Sequence, residues 1–125
     1  MRLLLDSHAV YWWVAGSLRL SATARGLILD RENAVLISAV SIYELEWKAR
    51  QSRIALPPQE LRAALRRNAV EDLPITHDHA EYAALLDWEH RDPWDRLLAA
   101  QARLENCALV SVDEVFDAIG VDRQW

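Results

Sequence analysis

Four acids are spread along this 125-residue chain, each beside an apolar run. Asp6 closes "RLLLD", Glu44 lies in "SIYELEW", Asp95 in "HRDPWDR", and Asp113 closes "ALVSVD". Carboxylates that meet in a fold raise one another's pKa. A hard divalent cation relieves that conflict, and Mg²⁺ or Mn²⁺ prefers oxygen donors. Asp6, Glu44, Asp95 and Asp113 are therefore the candidate metal ligands and catalytic residues. Zinc fits less well, because Cys107 is the single cysteine and no pair of histidines has a third partner at ligand spacing. His77, His79 and His90 fall in or beside expected loops and read as surface residues. His8 lies one turn from the site, near enough to support it.

The elements that must position these acids follow from the apolar pattern. Short strands are expected at residues 2–6, near 34–39, around Leu73 to Ile75, at 108–113, and at the edge in "VDRQW". Helices are expected in "SHAVYWWVAG", after a Ser21 cap, in "SIYELEWKARQSR", and in "PPQELRAALRRNA", whose prolines suit a helix start. Two more are expected in "HDHAEYAALLDWEH" and "DPWDRLLAAQARLENC", with a short helical turn in "EVFDAIG". Apolar strands alternating with helices predict an α/β protein with a parallel sheet covered on both faces. Such a sheet places its ligand site at the carboxyl ends of the strands. Asp6 and Asp113 stand at two of those ends. Glu44 is expected in the first turn of the helix after the second strand, and Asp95 in the first turn of the helix leading into the fourth. A helix that precedes a parallel strand runs back against it, so its N-terminus reaches the same edge.

Each acid also has a purely local explanation. Asp6 and Asp113 could cap the helical segments that follow them. Ser41 and Glu44 match the S-x-x-E capping box. Asp95 gains from the helix dipole. Four local explanations converging on one edge are less economical than one shared site. Asp92 and Asp95 separate on geometry. In a helix that starts at Pro93, Asp95 shares the stripe of Leu98, Ala99 and Ala102, which faces the sheet. Asp92 occupies the N-cap slot and is assigned to capping. Ser7, Ser41 and Ser111 read as caps or as hydroxyls that hold a carboxylate or a water.

Composition narrows the possible functions. A chain of this length, 52% apolar, makes one domain, residues 1–125, without repeats or linkers. The net charge of −5 argues against a generic nucleic-acid binder. From Trp47 to Ala69, however, six basic residues face one acid, Glu60, so that segment could meet an anion or form a solvated helix face. No intramolecular disulfide is possible, and no leader or spanning segment is visible, so a soluble cytoplasmic protein is expected. Six tryptophans are many for this length. They are expected in the core or on its rim, and some could form a dimer face or receive a partner's helix.

In order, "LLLDSHAVYWW", "SAVSIYELEWK", "HRDPWDRLLAAQA" and "LVSVD" resemble the motifs of PIN-domain ribonucleases, and among them the VapC toxins of bacterial toxin–antitoxin pairs. The resemblance runs from Arg2 to the closing "VDRQW", with "DPWDRLLAAQA" its most specific part. It implies a three-layer α/β/α sandwich with a central parallel sheet of four to five strands. It implies Asp6, Glu44 and Asp95 as metal-binding acids, with Asp113 a fourth, more variable one. The activity implied is RNA phosphodiester hydrolysis with Mg²⁺ or Mn²⁺, leaving a 5′-phosphate and a 3′-hydroxyl. A cognate antitoxin and a homodimer are the implied partners. The chain departs from the pattern at Ser111 and Val112, where relatives often carry threonine and arginine, and at Glu46 and Trp47, where small or aliphatic residues are common. Two rivals differ in kind. A receiver domain shares the acidic strand-end pocket but needs a lysine after a late strand, and Lys48 is the one lysine here. A PIN-like module could instead bind RNA or a partner without cutting.

Overall fold

Two apolar faces of one sheet organise the molecule. The computed structural model describes residues 1–57 and 59–125. Strand β1 (Arg2–Leu5) lies at the centre, parallel to β2 (Ala34–Ser38) on one side and to β4 (Ala108–Val110) on the other. With β3 (Glu71–Leu73) and β5 (Arg123–Gln124) outermost, the order is β3-β2-β1-β4-β5, parallel throughout. Successive side chains point to opposite faces. Leu3, Leu5, Val35, Ile37 and Val110 join one core with Ala9 and Val10 of α1 (Ser7–Val14), Ile28 of α2 (Ala22–Leu29), Leu45 of α3 (Ala39–Arg50), and Leu61 and Leu65 of α4 (Glu60–Arg67). Leu4, Leu36 and Leu109 join a second core with Leu98, Ala99 and Ala102 of α6 (Pro93–Leu104) and with Phe116. This is the expected three-layer arrangement. Both faces are covered, which is why the strands read as unbroken apolar runs.

The chain passes from β1 outward to β2 and β3, then returns to β4 and β5 on the other side. The order reverses between β1 and β4, and in open sheets of this kind ligands bind beyond the carboxyl ends of the strands at such a point.

Several element boundaries differ from expectation. β3 lies at Glu71–Leu73 rather than around Leu73 to Ile75, and β4 stops at Val110, so Asp113 lies three residues past that strand instead of closing it. Helices α3 and α6 end at Arg50 and Leu104, each three residues early. Helix α3 begins at Ala39, because Ser38 caps it by accepting from the Val40 N–H at 3.1 Å. The expected Ser41–Glu44 capping box is therefore absent, and the Ser41 hydroxyl is buried with no partner among the described residues. Helix α4 begins at Glu60 after a left-handed Gln59; of the two prolines expected to start it, Pro57 precedes it and Pro58 lies outside the described residues. Helix α5 (His77–Leu85) ends five residues before the expected end at His90.

The cause of that early end is Arg96 on α6. Its guanidinium donates to the carbonyls of Ala83, Leu86, Trp88 and His90 at 2.7–3.0 Å. Segment 86–92 is thus turned around one side chain, which fixes the approach to Asp92 and α6. Arginine's planar fork suits several acceptors at once.

Replacing Arg96 with leucine leaves these carbonyls without their donor, and chemical denaturation should show a loss of about 2 kcal/mol or more. An unchanged midpoint would mean that segment 86–92 holds without it. At α3, Ser38→Ala should cost about 1 kcal/mol. Ser41→Ala should be neutral or stabilising, since it removes an unpartnered buried hydroxyl; the opposite order would restore the capping box that the structure lacks.

Candidate active site

The chain turns sharply where each acid sits, and the turn fixes the side chain. Asp6 follows β1 and caps α1, its Oδ1 accepting from the Ala9 N–H at 2.7 Å. Its own N–H donates to the Val110 carbonyl at 3.1 Å, which ties it to the end of β4. Asp6 is only 5% exposed. Burial pushes its carboxyl above the usual aspartate range, against hydrogen bonds from Ser111 and Ala9, and the charge of Glu44 pushes the same way.

Glu44 reaches the cluster from the second turn of α3 rather than the first. Its Oε2 accepts from the Ser7 hydroxyl and from Lys48 Nζ, the latter at 2.8 Å. Burial would raise Glu44, but Lys48 and Ser7 outweigh it and hold the carboxyl below the usual glutamate range. Lys48 is four residues on, the spacing of a helical ion pair, so that contact was readable in the sequence.

Asp92 and Asp95 divide as expected. Asp92 Oδ1 accepts from the Trp94 N–H at 2.9 Å and the Asp95 N–H at 3.4 Å, with Pro93 opening α6. Asp95 is free of that task. Its Oδ2 lies 2.7 Å from His90 Nε2. Burial raises the Asp95 carboxyl; His90 opposes, while the nearby charges of Asp92 and Asp113 add to the rise. Asp113 caps the 3₁₀ turn Glu114–Ile119 by accepting from the Val115 N–H at 3.0 Å. Its own N–H donates to Ser111 Oγ, so the fully buried Ser111 touches both Asp6 and Asp113.

The acids influence one another in two groups: Glu44 acts on Asp6, and Asp113 and Asp92 act on Asp95. They are not drawn to one point. Donor atoms of His90, Asp92 and Asp95 lie within 4.8 Å of one another, and among the described residues the four expected acids do not close to that distance. Glu44 is turned to Lys48 and Asp95 to His90. All the carboxylates offer hard oxygen, and two of them carry a raised pKa, so the set fits a hard divalent cation. Asp6 and Asp95 favour the folded state when protonated, below the ordinary value of 3.8, and that contribution is lost as pH rises through their raised values. Glu44 contributes above its ordinary value of 4.5, and its contribution is lost as pH falls.

Two histidines correct the surface reading. His90 is bonded to Asp95, as above. His79 is 2% exposed and completes a capping box with Thr76, its Nδ1 accepting from the Thr76 N–H at 3.0 Å. Its Nε2 is 2.8 Å from a Glu105 carboxylate. A histidine replaces the usual Glu or Gln of that motif, so the Thr-x-x-His spacing was the available signal. His8 stacks on Trp12 at 5.4 Å and lowers both Asp6 and Glu44, which places it beside the site. Ser7 and Ser111 touch the acids, whereas Ser41 does not bond to any.

Comparison with known proteins gives the same architecture. Ribonuclease VapC22 of Mycobacterium tuberculosis is 37% identical over 113 residues, covering 88% of this chain and 85% of that one. VapBC2 from Rickettsia felis, solved bound to a DNA fragment from its promoter, superposes with a TM-score of 0.74 at 18% identity, over 99% of this chain and 98% of the other. VapC20 of Mycobacterium tuberculosis, described as a sarcin–ricin loop cleaving toxin, gives 0.64 at 21% identity over 95% of each. The profile of the PIN domain matches residues 3–122, nearly the whole chain. With its acids at the carboxyl edge of a parallel five-stranded sheet, the chain belongs to the PIN-domain family.

Proposed function

We propose that this chain is a metal-dependent endoribonuclease, the toxin of a toxin–antitoxin pair. One observation carries the reading: Asp6, Glu44 and Asp95, backed by Asp113, reach one sheet edge from four separate segments, two of them at an electrostatic cost. The 37% identity to a named ribonuclease supports RNA as the substrate. Solved complexes of similar fold support an antitoxin as partner.

Asp6, Glu44 and Asp95 would hold Mg²⁺, or Mn²⁺ in its place, with Asp113 as a fourth donor. When bound, the cation supplies Lewis acidity toward phosphate oxygens and lowers the pKa of a water. The chain's own residues set the geometry. Ser7 and Lys48 fix the Glu44 carboxylate, Ser111 joins Asp6 to Asp113, and His90 orients Asp95. Arg96 keeps the approach to α6 in place. The products would carry a 5′-phosphate and a 3′-hydroxyl, and no serine or cysteine nucleophile is required. A homodimer is the proposed assembly. The cytoplasm is the proposed location, where such a substrate is found; no described helix is long and apolar enough to cross a membrane.

The Glu44–Lys48 pair favours a second reading, a PIN-like module that binds RNA or a partner without cutting, because an ammonium on one ligand opposes cation binding. Cleavage assays separate the two. With Mg²⁺ present, Asp6→Asn and Asp95→Asn should each cut RNA on the order of 100-fold more slowly than wild type. Asp92→Ala should remain active and lose about 1 kcal/mol of stability. Equal cleavage by wild type and both Asn variants would sink the nuclease reading.

A further inference from the structure

Five of the six tryptophans pack against one of the two cores; Trp47 does not. Trp47 is 46% exposed, and beside it Tyr43 is 55% exposed. The two rings lie one turn apart on α3, with centroids 6.5 Å apart and planes 21° from parallel. Trp94 of α6 meets Tyr43 from the other side at 5.2 Å and 35°. The three rings make one continuous aromatic ledge spanning the junction of α3 and α6. Core packing does not account for its exposed part.

The ledge borders the acids. Trp47 lies three residues beyond Glu44 on α3, on the neighbouring turn of the same face, and Trp94 lies in the first turn of α6, beside Asp95 in the chain. We infer that Tyr43, Trp47 and Trp94 form a stacking platform for an unpaired RNA base next to the scissile phosphate. The inference rests on the nuclease reading above.

Charge favours a base over other occupants. The chain carries −5 overall, and the four acids repel the phosphates that flank the scissile one. Lys48, next to Trp47 in the chain, is already held by Glu44 at 2.8 Å. Beside the acids, contacts that do not depend on charge must therefore add to what the basic segment from Trp47 to Ala69 supplies. Stacking on aromatic rings is such a contact, and it tolerates sequence because every base has a π-face. It also requires a base free of its own helix, so the platform selects single-stranded loops or ends over duplex.

The test is binding of a 5′-labelled decamer of oligouridylate, read by fluorescence anisotropy in Mg²⁺. An Asp6→Asn background prevents cleavage and keeps an oxygen for the α1 cap. Tyr43→Leu and Trp47→Leu should each weaken binding about tenfold, and the corresponding Phe variants should recover most of it. An abasic strand of equal length should bind all forms alike. Thermal melting of each variant checks that the fold is intact, as expected for side chains this exposed. Leu variants that bind the decamer as tightly as the parent overturn the platform. So does an equal loss on the abasic strand, or a failure of Phe to rescue. Unchanged decamer binding with lost binding to the co-expressed product of the adjacent open reading frame would give the face to a protein partner. If the chain with Asp6 intact cuts RNA and the ledge variants cut with unchanged KM, the platform falls and the nuclease reading stands. If that chain neither cuts nor binds RNA, both fall.

Discussion

Acids that repel one another have to be held together against water and against their own charges. Asp6 is almost fully buried, Asp95 partly so, and both carboxyls are raised by that burial and by neighbouring carboxylates. An uncompensated site of this kind destabilises the fold that carries it. Local partners compensate in part: Lys48 and Ser7 for Glu44, His90 for Asp95, Ser111 and the Ala9 N–H for Asp6. What remains is a standing preference for positive charge at the carboxyl edge of the sheet.

The sheet meets this demand with few residues. Three acids in or beside the cluster also cap helical segments: Asp6 on α1, Asp92 on α6, Asp113 on the 3₁₀ turn. Capping and site-building are the same act here, since a cap fixes a carboxylate at the end of a strand or the start of a helix. Asp95 is the exception. It can turn to His90 because Asp92 has taken the cap. The cluster lies where the strand order reverses, beyond β1 and β4.

Much of this is legible in the chain, and for identifiable reasons. Four apolar runs and the rule for helices before parallel strands are enough to bring the acids to one edge. Pro93 after Asp92 marks the start of α6 and so separates the two aspartates. The sequence is silent where a tertiary contact overrides a local pattern. Nothing between Leu85 and His90 signals that α5 should stop, because the stop is made by Arg96, reaching back from the next helix. His90 and His79 sit in polar stretches, and only their partners, Asp95 and Glu105, draw them inward. Glu44 arrives one turn later than the S-x-x-E pattern implies, since Ser38, buried at the end of β2, captures the cap first.

Thermal melting with and without divalent cation, comparing wild type with the double variant Asp6→Asn, Asp95→Asn, tests most directly whether these acids are gathered for a cation. In chelator at neutral pH the double variant should melt several degrees above wild type, because the repulsion is gone and asparagine still caps α1. Added Mg²⁺ or Mn²⁺ should raise the wild-type melting temperature and leave the variant nearly unmoved. A wild type indifferent to both cations, and no less stable than its neutralised variant, would contradict the claim that these acids are gathered to hold a metal.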